Sequence, residues 1–511
     1  MFGGHVAASG DQFQCHMSTL ERQVLSGSSA DTYFPNKPTM RSLFHDTWMS
    51  WCRANDLPGP PQQLQATFDI MWAAHHQAAA SRYHCNLVDA IKVKTKGAIW
   101  HCEDHHPRSS ICFCPVLYHT MLDGTFCNPS VFQEVKTGFE SDLRTVQQAA
   151  KRALQRRYPW AFRRHTKVPT AYALPKRKKD FQAGRPIVSF IDAFMRPLLE
   201  ATSRLLQRIC AIAFPGSFAR GDVYQLLQQL REFLEQAAEG PLHCRNQDLA
   251  GFFTSISKTQ FMKAWSLTLA FYQQRHGPPT TFTVDVKERC QSMRVFRGRR
   301  RNRASRTVHI WAEDIGTIIF HALALQHFSV SGRHFKQAHG SPMGSPLSPA
   351  LCSMMIAAQE EVWRRSFSVT CSSMNRCMLV LRYVDNRLWL SERRFAQLPA
   401  VKLFLNNRFY GGNILLEEEP AFDFVGFILD VDHRRIAYNR AIQARELPCI
   451  QSASPETVLL SGILARAHTI KKCVFPRAQA LVDLRFLWNT AEERGFPIHS
   501  FNFKAKFWHM P

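Results

Sequence analysis

The sequence lacks any long apolar run. None of its 511 residues lie in an uninterrupted apolar stretch of about 18 residues or more, so a membrane-spanning helix is not expected. The first residues, MFGGHVAASGDQ, contain neither the basic segment nor the apolar segment that begins a secretory signal. We therefore predict a protein that is not secreted and has no membrane partner.

The cysteines lack the spacing of a disulfide framework or of a zinc site. There are 15 of them, an odd number, scattered along the chain, which favours reduced thiols in the cytosol or nucleus. The segment HCEDHHPRSSICFCPVLYH (101–119) gathers ligand types that zinc accepts, namely Cys102, His105, His106, Cys112, Cys114 and His119. Because no paired CxxC spacing occurs there, we expect ordinary cysteines and histidines, with a zinc-organised scaffold as the alternative.

Acidic residues are scarce relative to basic ones. Lys and Arg number 64 and Asp and Glu 40, which gives a formal net charge of +24 and a pI near 9.7. A charge of this sign favours a polyanionic partner, and a general role in solubility is the alternative. The 38 phenylalanines and a hydrophobic content of 45% exclude a mainly disordered chain.

The segment AYALPKRKKDFQAGRPIVSF (171–190) combines a basic run, a Gly-Arg-Pro turn and a strand-like end. PKRKK has the composition of a nuclear import signal, and a solvated charge run is the alternative. Arg185, fixed between the turn and the strand, would present a rigid planar guanidinium, which suits a phosphate group. We therefore predict a nuclear protein, with the cytoplasm as a second compartment.

The segment 242–279 reads as a strand followed by a helix. Strand-like residues run through Asp248 to Phe253, after which Ser257 and Gln260 form a capping box that opens a helix. Gly-Pro-Pro at the end of the segment stops this helix. Asp248 is thus predicted to lie on a strand shortly before a helix begins.

Two later segments also place polar residues at turns. In QAHGSPMGSPLSPALCSMMIAAQEEVW (337–363) a Gly/Ser/Pro loop leads into a helix, and Gly340 and Gly344 would let a base or ribose approach the backbone. In LRYVDNRLWL (381–390) strand-like residues flank Asp385 and Asn386, which predicts a β-hairpin. A simple preference of Asp and Asn for turns competes there with a metal-binding role.

Three further segments complete the outline. RVFRGRRRNRASR (294–306) is dense in arginine and is either a solvated loop or a contact to backbone phosphates. FDFVGFILDVD (422–432) predicts a strand pair, and residues 455–495 predict helices.

In this order the segments resemble the fingers and palm of reverse transcriptases, and more narrowly the Penelope-like retroelement enzymes, which are related to telomerase. YALPKRKKDFQAGRPIVSF is similar to the family's LPK…RPIVS segment, and DLAGFFTSIS to its D-x-x-S-L-[FY]-T strand. HGSPMGSPLSPAL is similar to its MGSPLSP loop, and RYVDN to its RYVDD hairpin. The resemblance covers roughly residues 165–500, with a weaker likeness towards the end.

The resemblance implies an α+β right-hand polymerase fold with fingers, an antiparallel-sheet palm and a helical thumb. The implied divisions are a mostly helical N-terminal extension over 1–165, fingers over 166–240, a palm with an Arg-rich insertion over 241–430, and a thumb over 431–511. The implied activity is RNA-directed DNA polymerisation on a DNA primer, with an RNA template and deoxynucleoside triphosphates as partners.

The resemblance also implies roles for single residues. Two Mg²⁺ ions, for which Mn²⁺ can substitute, would be held by Asp248, Asp385 and the carbonyl group of Leu249. Phe253 would exclude a ribose 2′-hydroxyl, and Lys176 and Arg185 would grip the triphosphate. Gly344 and Ser345 would line the template–nucleotide pocket, and Tyr383 would support the primer end.

Asn386 departs from the family pattern, which has Asp at this position. An amide removes one negative charge from a site that must hold two dications, although its carbonyl oxygen remains a ligand. A catalytically weakened or inactive nucleic-acid-binding descendant is therefore one alternative, and an RNA-dependent RNA polymerase is another. GGNILLEEEP (411–420) has glutamates where related enzymes often have a lysine, so no general acid is predicted. No GIY…YIG nuclease pattern occurs.

Overall fold

The structure is a computed structural model that describes most of the chain beyond residue 96. The described ranges are 97–104, 106–162, 166–176, 180–237, 240–285, 295–297, 307–368, 378–420, 423–440 and 456–496, with shorter pieces at 7–9, 45, 49, 53, 69–70, 447 and 507–508. The chain divides into two compact units. One comprises 1–119, 445–464 and 490–504, and the other 120–444, 465–489 and 505–511.

The first unit contains a small antiparallel sheet. Its strands are β1 (Ala7–Ser9), β2 (Ile99–Glu103) and β3 (His106–Phe113), in the order β1-β3-β2. In the segment predicted as a possible zinc scaffold, His101 Nε2 lies 3.1 Å from the Tyr118 hydroxyl. Among the described residues no group of three or more His, Cys, Asp or Glu side chains could hold a metal ion, and His105 lies outside them.

The remaining strands belong to the second unit. They are β4 (Phe132–Glu134), β5 (Thr170–Pro175), β6 (Gly184–Ser189), β7 (Leu242–Ala250), β8 (Thr281–Asp285), β9 (Val295–Arg297), β10 (Thr307–Trp311), β11 (His327–Val330), β12 (Arg333–Gln337), β13 (Met378–Tyr383), β14 (Asn386–Glu392), β15 (Leu415–Glu419), β16 (Asp423–Phe424), β17 (Phe427–Asp430) and β18 (Arg435–Tyr438).

The helices of the described ranges complete an α+β fold, as predicted. They are α1 (Pro115–Phe126), α2 (Phe139–Leu154), α3 (Arg196–Ala213), α4 (Val223–Gln236), α5 (Lys258–His276), α6 (Asp314–Ala324), α7 (Ser348–Ser368), α8 (Arg393–Ala396), α9 (Pro399–Leu405), α10 (Glu456–Cys473) and α11 (Arg477–Glu493). The predicted capping box of Ser257 and Gln260 is present at the start of α5. Helices α3, α5 and α7 pack against one another.

A five-stranded sheet, ordered β4-β12-β11-β5-β6, carries the basic segment of the sequence. Its β5–β6 hairpin is anchored by α1, because the Gly184 N–H donates to Thr125 Oγ1 at 2.8 Å. A Cβ on Gly124 would lie 2.1 Å from the Gln182 carbonyl oxygen, so only glycine lets the helix approach the hairpin this closely. The start of β6, and with it Arg185, is therefore fixed to the helix.

A four-stranded antiparallel sheet, ordered β13-β14-β7-β15, lies at the centre of the second unit. Leu381 of β13 and Leu388, Trp389 and Leu390 of β14 are fully buried. The uninterrupted apolar run in β14 indicates a strand covered on both faces. This sheet brings together two of the segments identified in the sequence.

The C-terminal part contains the predicted strand pair and the predicted helices. Strands β16, β17 and β18 form a sheet, and buried Asp483 of α11 accepts from the Tyr438 N–H and from Arg440. The predicted division at residue 430 falls between β17 and β18, which pair with each other, and β4 joins the sheet of β12 although it precedes residue 166. The predicted domain boundaries stay a prediction.

The Arg-rich segment 294–306 lies outside the described residues apart from β9, which joins β8 and β10 in a three-stranded sheet. In the described part of the chain, no helix combines the length and the apolar character needed to cross a bilayer.

Candidate functional site

The register of the central sheet brings the two predicted acids together. Asp248 of β7 faces Asn386 of β14, and Asn386 faces Tyr383 across the β13–β14 hairpin. On its other side Asp248 faces Glu417 of β15. Residues that face each other across strands lie on the same face of a sheet. We call Tyr383, Asn386, Asp248 and Glu417 the site row.

Asp385 sits in the two-residue turn of this hairpin, next to Asp248. The Leu249 N–H donates to the Asp385 carbonyl oxygen at 3.2 Å, and Asn386 Nδ2 lies 3.5 Å from Asp248 Oδ1. The predicted hairpin is therefore confirmed. The predicted strand around Asp248 is also present, but it ends at Ala250 rather than at Phe253, because Gly251 turns the chain with a φ of 60°.

The electrostatics of Asp248 indicate uncompensated negative charge. Burial, followed by the carboxylates of Asp385 and Glu419, raises the pKa of Asp248 to about 6, against a hydrogen bond from the Leu249 N–H. The Glu417 carboxylate also raises the pKa of Asp248, by a smaller amount. A cation bound between these groups would remove the repulsion.

The donor set fits a hard divalent cation. Carboxylate oxygens from Asp248 and Asp385 and the carbonyl oxygen of Leu249 are the ligand type that Mg²⁺ and Mn²⁺ prefer. Within the described ranges, however, no three carboxylate, imidazole or thiol groups converge to hold a metal ion.

The three consecutive glutamates of β15 alternate between the two faces of the sheet. Glu417 belongs to the site row, and Glu419, two residues on, faces the same side as Glu417. Glu418 faces Gln247 and accepts from its Nε2 at 2.6 Å and from Arg245 Nη2 at 2.6 Å. The sequence left the role of these glutamates open, and strand alternation separates them.

The Gly/Ser/Pro loop joins β6 to the turn that follows β7. The Val188 N–H of β6 donates to the Met343 carbonyl oxygen at 2.7 Å, and the Ser341 N–H donates to the Phe253 carbonyl oxygen at 2.8 Å. Together with the bond between Leu249 and Asp385, these backbone bonds connect all four segments that carried the resemblance.

The glycines of this loop are required by contacts with protein backbone. Gly344 has a φ of 101°, and a Cβ there would lie 2.2 Å from the Val188 carbonyl oxygen. Gly340 has a φ of 78°, and a Cβ would lie 2.1 Å from the Phe253 carbonyl oxygen. The close approach predicted for a nucleotide is thus made by the chain itself, and an additional approach by a base or ribose stays a prediction.

The other predicted site residues lie at the end of β5, on β6 and in the Gly/Ser/Pro loop. Lys176 directly follows the last residue of β5, and Arg185 lies on β6 opposite Leu174. Ser345 is buried, and its hydroxyl accepts from the Leu347 N–H at 3.4 Å, so it also organises its own loop. Contacts of these residues with a nucleotide remain predictions.

A second row of polar residues, which the sequence analysis missed, lies on the opposite face of the sheet. Arg382, Arg387, Gln247 and Glu418 face one another in that order, and we call them the polar row. The first three are buried, with both arginines at 0% exposure. The signal for them is a charged residue on each side of the hairpin turn inside otherwise apolar strands.

Hydrogen bonds connect members of the polar row to one another and to α7. Arg387 Nη2 donates to Gln247 Oε1 at 2.6 Å and to the Phe404 carbonyl oxygen at 2.8 Å. Arg382 Nε donates to Glu360 Oε1 of α7 at 2.8 Å, and the same oxygen accepts from the Tyr410 hydroxyl at 2.9 Å. These buried groups are thus satisfied by charged and polar partners.

Comparisons with known proteins find similarity in structure alone. No family model and no curated protein matches the sequence. The telomerase of Candida albicans, solved with a fragment of telomeric RNA, has a TM-score of 0.49 at 14% identity, covering 78% of this chain and 60% of that chain. The apo telomerase of Candida tropicalis has a TM-score of 0.48 at 11% identity, covering 80% of this chain and 71% of that one.

Viral RNA polymerases are also among the similar structures. The sicinivirus RNA-dependent RNA polymerase has a TM-score of 0.39 at 10% identity, covering 75% of this chain and 74% of that chain. The chain spans about 60% of the length of the Candida albicans telomerase. The structures that this chain resembles are therefore telomerases and viral RNA polymerases, at a distance that leaves its chemistry to be argued from its own residues.

Proposed function

We propose that the chain is an RNA-directed DNA polymerase that adds deoxynucleotides to a primer 3′ end. The observation that carries the proposal is the meeting of Asp248 and Asp385, supported by the bond between the Leu249 N–H and the Asp385 carbonyl oxygen at 3.2 Å. The Asp385 carboxylate is close enough to raise the pKa of Asp248, and carboxylate and backbone carbonyl oxygens are the donor type that divalent cations prefer.

Bound Mg²⁺ or Mn²⁺ would supply activation of the primer hydroxyl and neutralisation of the leaving pyrophosphate. The chain's own residues would position the reactants around it. Phe253, whose carbonyl group is fixed by Ser341, would stand where a ribose 2′-hydroxyl would otherwise fit. Lys176 and Arg185 would hold the triphosphate, and Tyr383, beside Asn386 in the site row, would support the primer end.

The basic charge of the chain supports nucleic acid as the partner. A net charge of +24 would attract an RNA template and a DNA primer and make binding fall steeply with salt. The PKRKK run beginning at Pro175 supports nuclear import, with the cytoplasm as the second compartment, and a fusion of residues 171–190 to a reporter protein would test it.

Primer extension tests the proposal. We expect the protein to extend a DNA primer on an RNA template with Mg²⁺ or Mn²⁺, and we expect Asp248→Ala to abolish extension. Asp432→Ala, an exposed aspartate in the turn between β17 and β18, is the control that should extend normally. Template binding without extension under both metals would contradict the proposal.

The second candidate is a nucleic-acid-binding protein whose metal site has weakened. Asn386 favours it, because the amide lies 3.5 Å from Asp248 where a third carboxylate would add charge for the cations. Template binding without extension under either metal would identify it.

A third candidate, an RNA-dependent RNA polymerase, differs in nucleotide choice. If Phe253 excludes the 2′-hydroxyl, Phe253→Ala should increase ribonucleotide incorporation, and the wild type should prefer deoxynucleotides. A wild type that prefers ribonucleotides, with no gain in the variant, would support the RNA polymerase instead.

A further inference from the structure

Val384, at the tip of the site hairpin, has a backbone conformation that β-branched residues rarely adopt. Its φ is +54°, and it forms with Asp385 the two-residue turn between Tyr383 and Asn386. Val384 is among the residues with positive φ and Asp385 is not, which is the pattern of a type II′ turn. Such a turn prefers glycine at its first position, and the Val384 side chain is 47% exposed, so side-chain packing does not explain the conformation.

A hydrogen bond from Arg382 explains the conformation of Val384. Arg382 Nη1 donates to the Val384 carbonyl oxygen at 2.9 Å from within the buried face of the sheet. The same guanidinium is held in place by Glu360, with Nε to Oε1 at 2.8 Å and Nη2 to Oε2 at 3.2 Å. Its own backbone is fixed on the outer edge of β13, because its N–H donates to the Phe218 carbonyl oxygen at 2.9 Å.

The orientation of the Val384 carbonyl group decides where the next residue points. Types I′ and II′ differ by a flip of the central peptide, here the bond between Val384 and Asp385. We propose that Arg382 is a positioning residue, which selects the type II′ turn by holding this carbonyl group and thereby directs the Asp385 carboxylate towards Asp248. This inference rests on the proposed function, in which that carboxylate binds a divalent cation.

Arg387 provides a matched control. It faces Arg382 directly across the hairpin, is equally buried at 0% exposure and is also bonded by its guanidinium. Its partners, however, are the Gln247 side chain, the Phe404 carbonyl oxygen and the Tyr410 hydroxyl, not the turn. Loss of the guanidinium hydrogen bonds of either arginine should destabilise the sheet, whereas only their loss at Arg382 should let the turn change its conformation.

The experiment compares Arg382→Lys with Arg387→Lys. Lysine keeps the charge but cannot bind Glu360 with two donors and the Val384 carbonyl group at the same time. We expect Arg382→Lys to weaken Mn²⁺ binding, measured by calorimetry, about tenfold to a hundredfold, which corresponds to one lost charge-assisted hydrogen bond. Amide hydrogen exchange in a peptide covering 383–388 should become faster. Arg387→Lys should leave Mn²⁺ binding near the wild-type level.

A second substitution separates positioning from stability. Glycine prefers the first position of a type II′ turn, so Val384→Gly should restore much of the Mn²⁺ affinity that Arg382→Lys loses. The double variant should therefore bind Mn²⁺ nearly as tightly as the Val384→Gly single variant. In Arg387→Lys, whose Mn²⁺ affinity is expected to be near the wild-type level already, Val384→Gly should leave that affinity unchanged. Equal losses of Mn²⁺ affinity in both lysine variants, or no rescue by Val384→Gly, would overturn the positioning role.

The wild type distinguishes this inference from the function on which it rests. A wild type that neither binds Mn²⁺ nor extends a primer contradicts the proposed function. A wild type that does both, together with an Arg382→Lys variant of unchanged Mn²⁺ affinity, contradicts the positioning role alone.

Discussion

Replacing Asp248 by asparagine should stabilise the metal-free protein while removing its proposed activity. The pKa of this carboxyl group is raised from 3.8 to about 6, so the ionised form is disfavoured in the folded state. A difference of one unit in pKa between the folded and the unfolded state corresponds to about 1.4 kcal/mol. At neutral pH the ionised carboxylate therefore costs folding on the order of 3 kcal/mol. Asparagine has nearly the same shape, carries no charge and can still accept from the Leu249 N–H.

The pH dependence identifies ionisation as the cause. Between pH 3.8 and about 6 the folded protein keeps the proton that the unfolded chain releases, so the stability of the wild type falls as the pH rises through this window. Above it the full cost is present. The advantage of Asp248→Asn should thus be on the order of 3 kcal/mol at pH 8 and roughly half of that at pH 5.

Urea unfolding in the presence of a chelator measures this difference. Asp142→Asn is a control of opposite sign, because hydrogen bonds from His327 and Lys336 lower the pKa of Asp142. That variant should be less stable than the wild type at pH 8. An Asp248→Asn variant that is no more stable than the wild type, or whose advantage is the same at pH 5 and pH 8, would refute this explanation.

Three other predictions test neighbouring contacts. Asn386→Asp should raise Mn²⁺ affinity and lower the stability of the metal-free protein, since it adds a carboxylate to the site row; calorimetry showing unchanged affinity would contradict this. Gly344→Ala should lower the melting temperature more than Gly332→Ala, because both have positive φ but only Gly344 would clash with backbone, at 2.2 Å; equal losses would refute the contact. Glu417→Gln should shift the pH dependence of Mn²⁺ binding to lower pH, whereas Glu418→Gln should mainly reduce stability, and the reverse pattern would contradict the strand alternation.

The sequence was sufficient to predict the elements of the site. Strand-like residues on both sides of Asp385 and Asn386 predicted the hairpin, and the capping box of Ser257 and Gln260 predicted the start of α5, because both patterns depend on local contacts. The resemblance supplied the expectation that Asp248 and Asp385 meet. The sheet register then brought them together across β7 and β14.

The support beneath the site could not be predicted in the same way. Arg382 and Arg387 look like ordinary charged flanks of a turn in the sequence, and their burial depends on α7 and α9 packing against the sheet from distant parts of the chain. Likewise, the glycines of the loop suggested space for a ligand, whereas Val188 and Phe253 occupy that space with backbone. Such contacts between distant segments follow from tertiary packing, which no local pattern encodes.

Iron-mediated cleavage tests most directly whether Asp248 and Asp385 hold the same divalent cations, as we propose. Fe²⁺ in place of Mg²⁺, with ascorbate and peroxide, generates radicals that cut the backbone near the metal, and mass spectrometry locates the cuts. We expect cuts close to both residue 248 and residue 385 in the wild type, and the loss of both sets in Asp248→Ala. Cuts near one of the two positions only, or near neither, would contradict it.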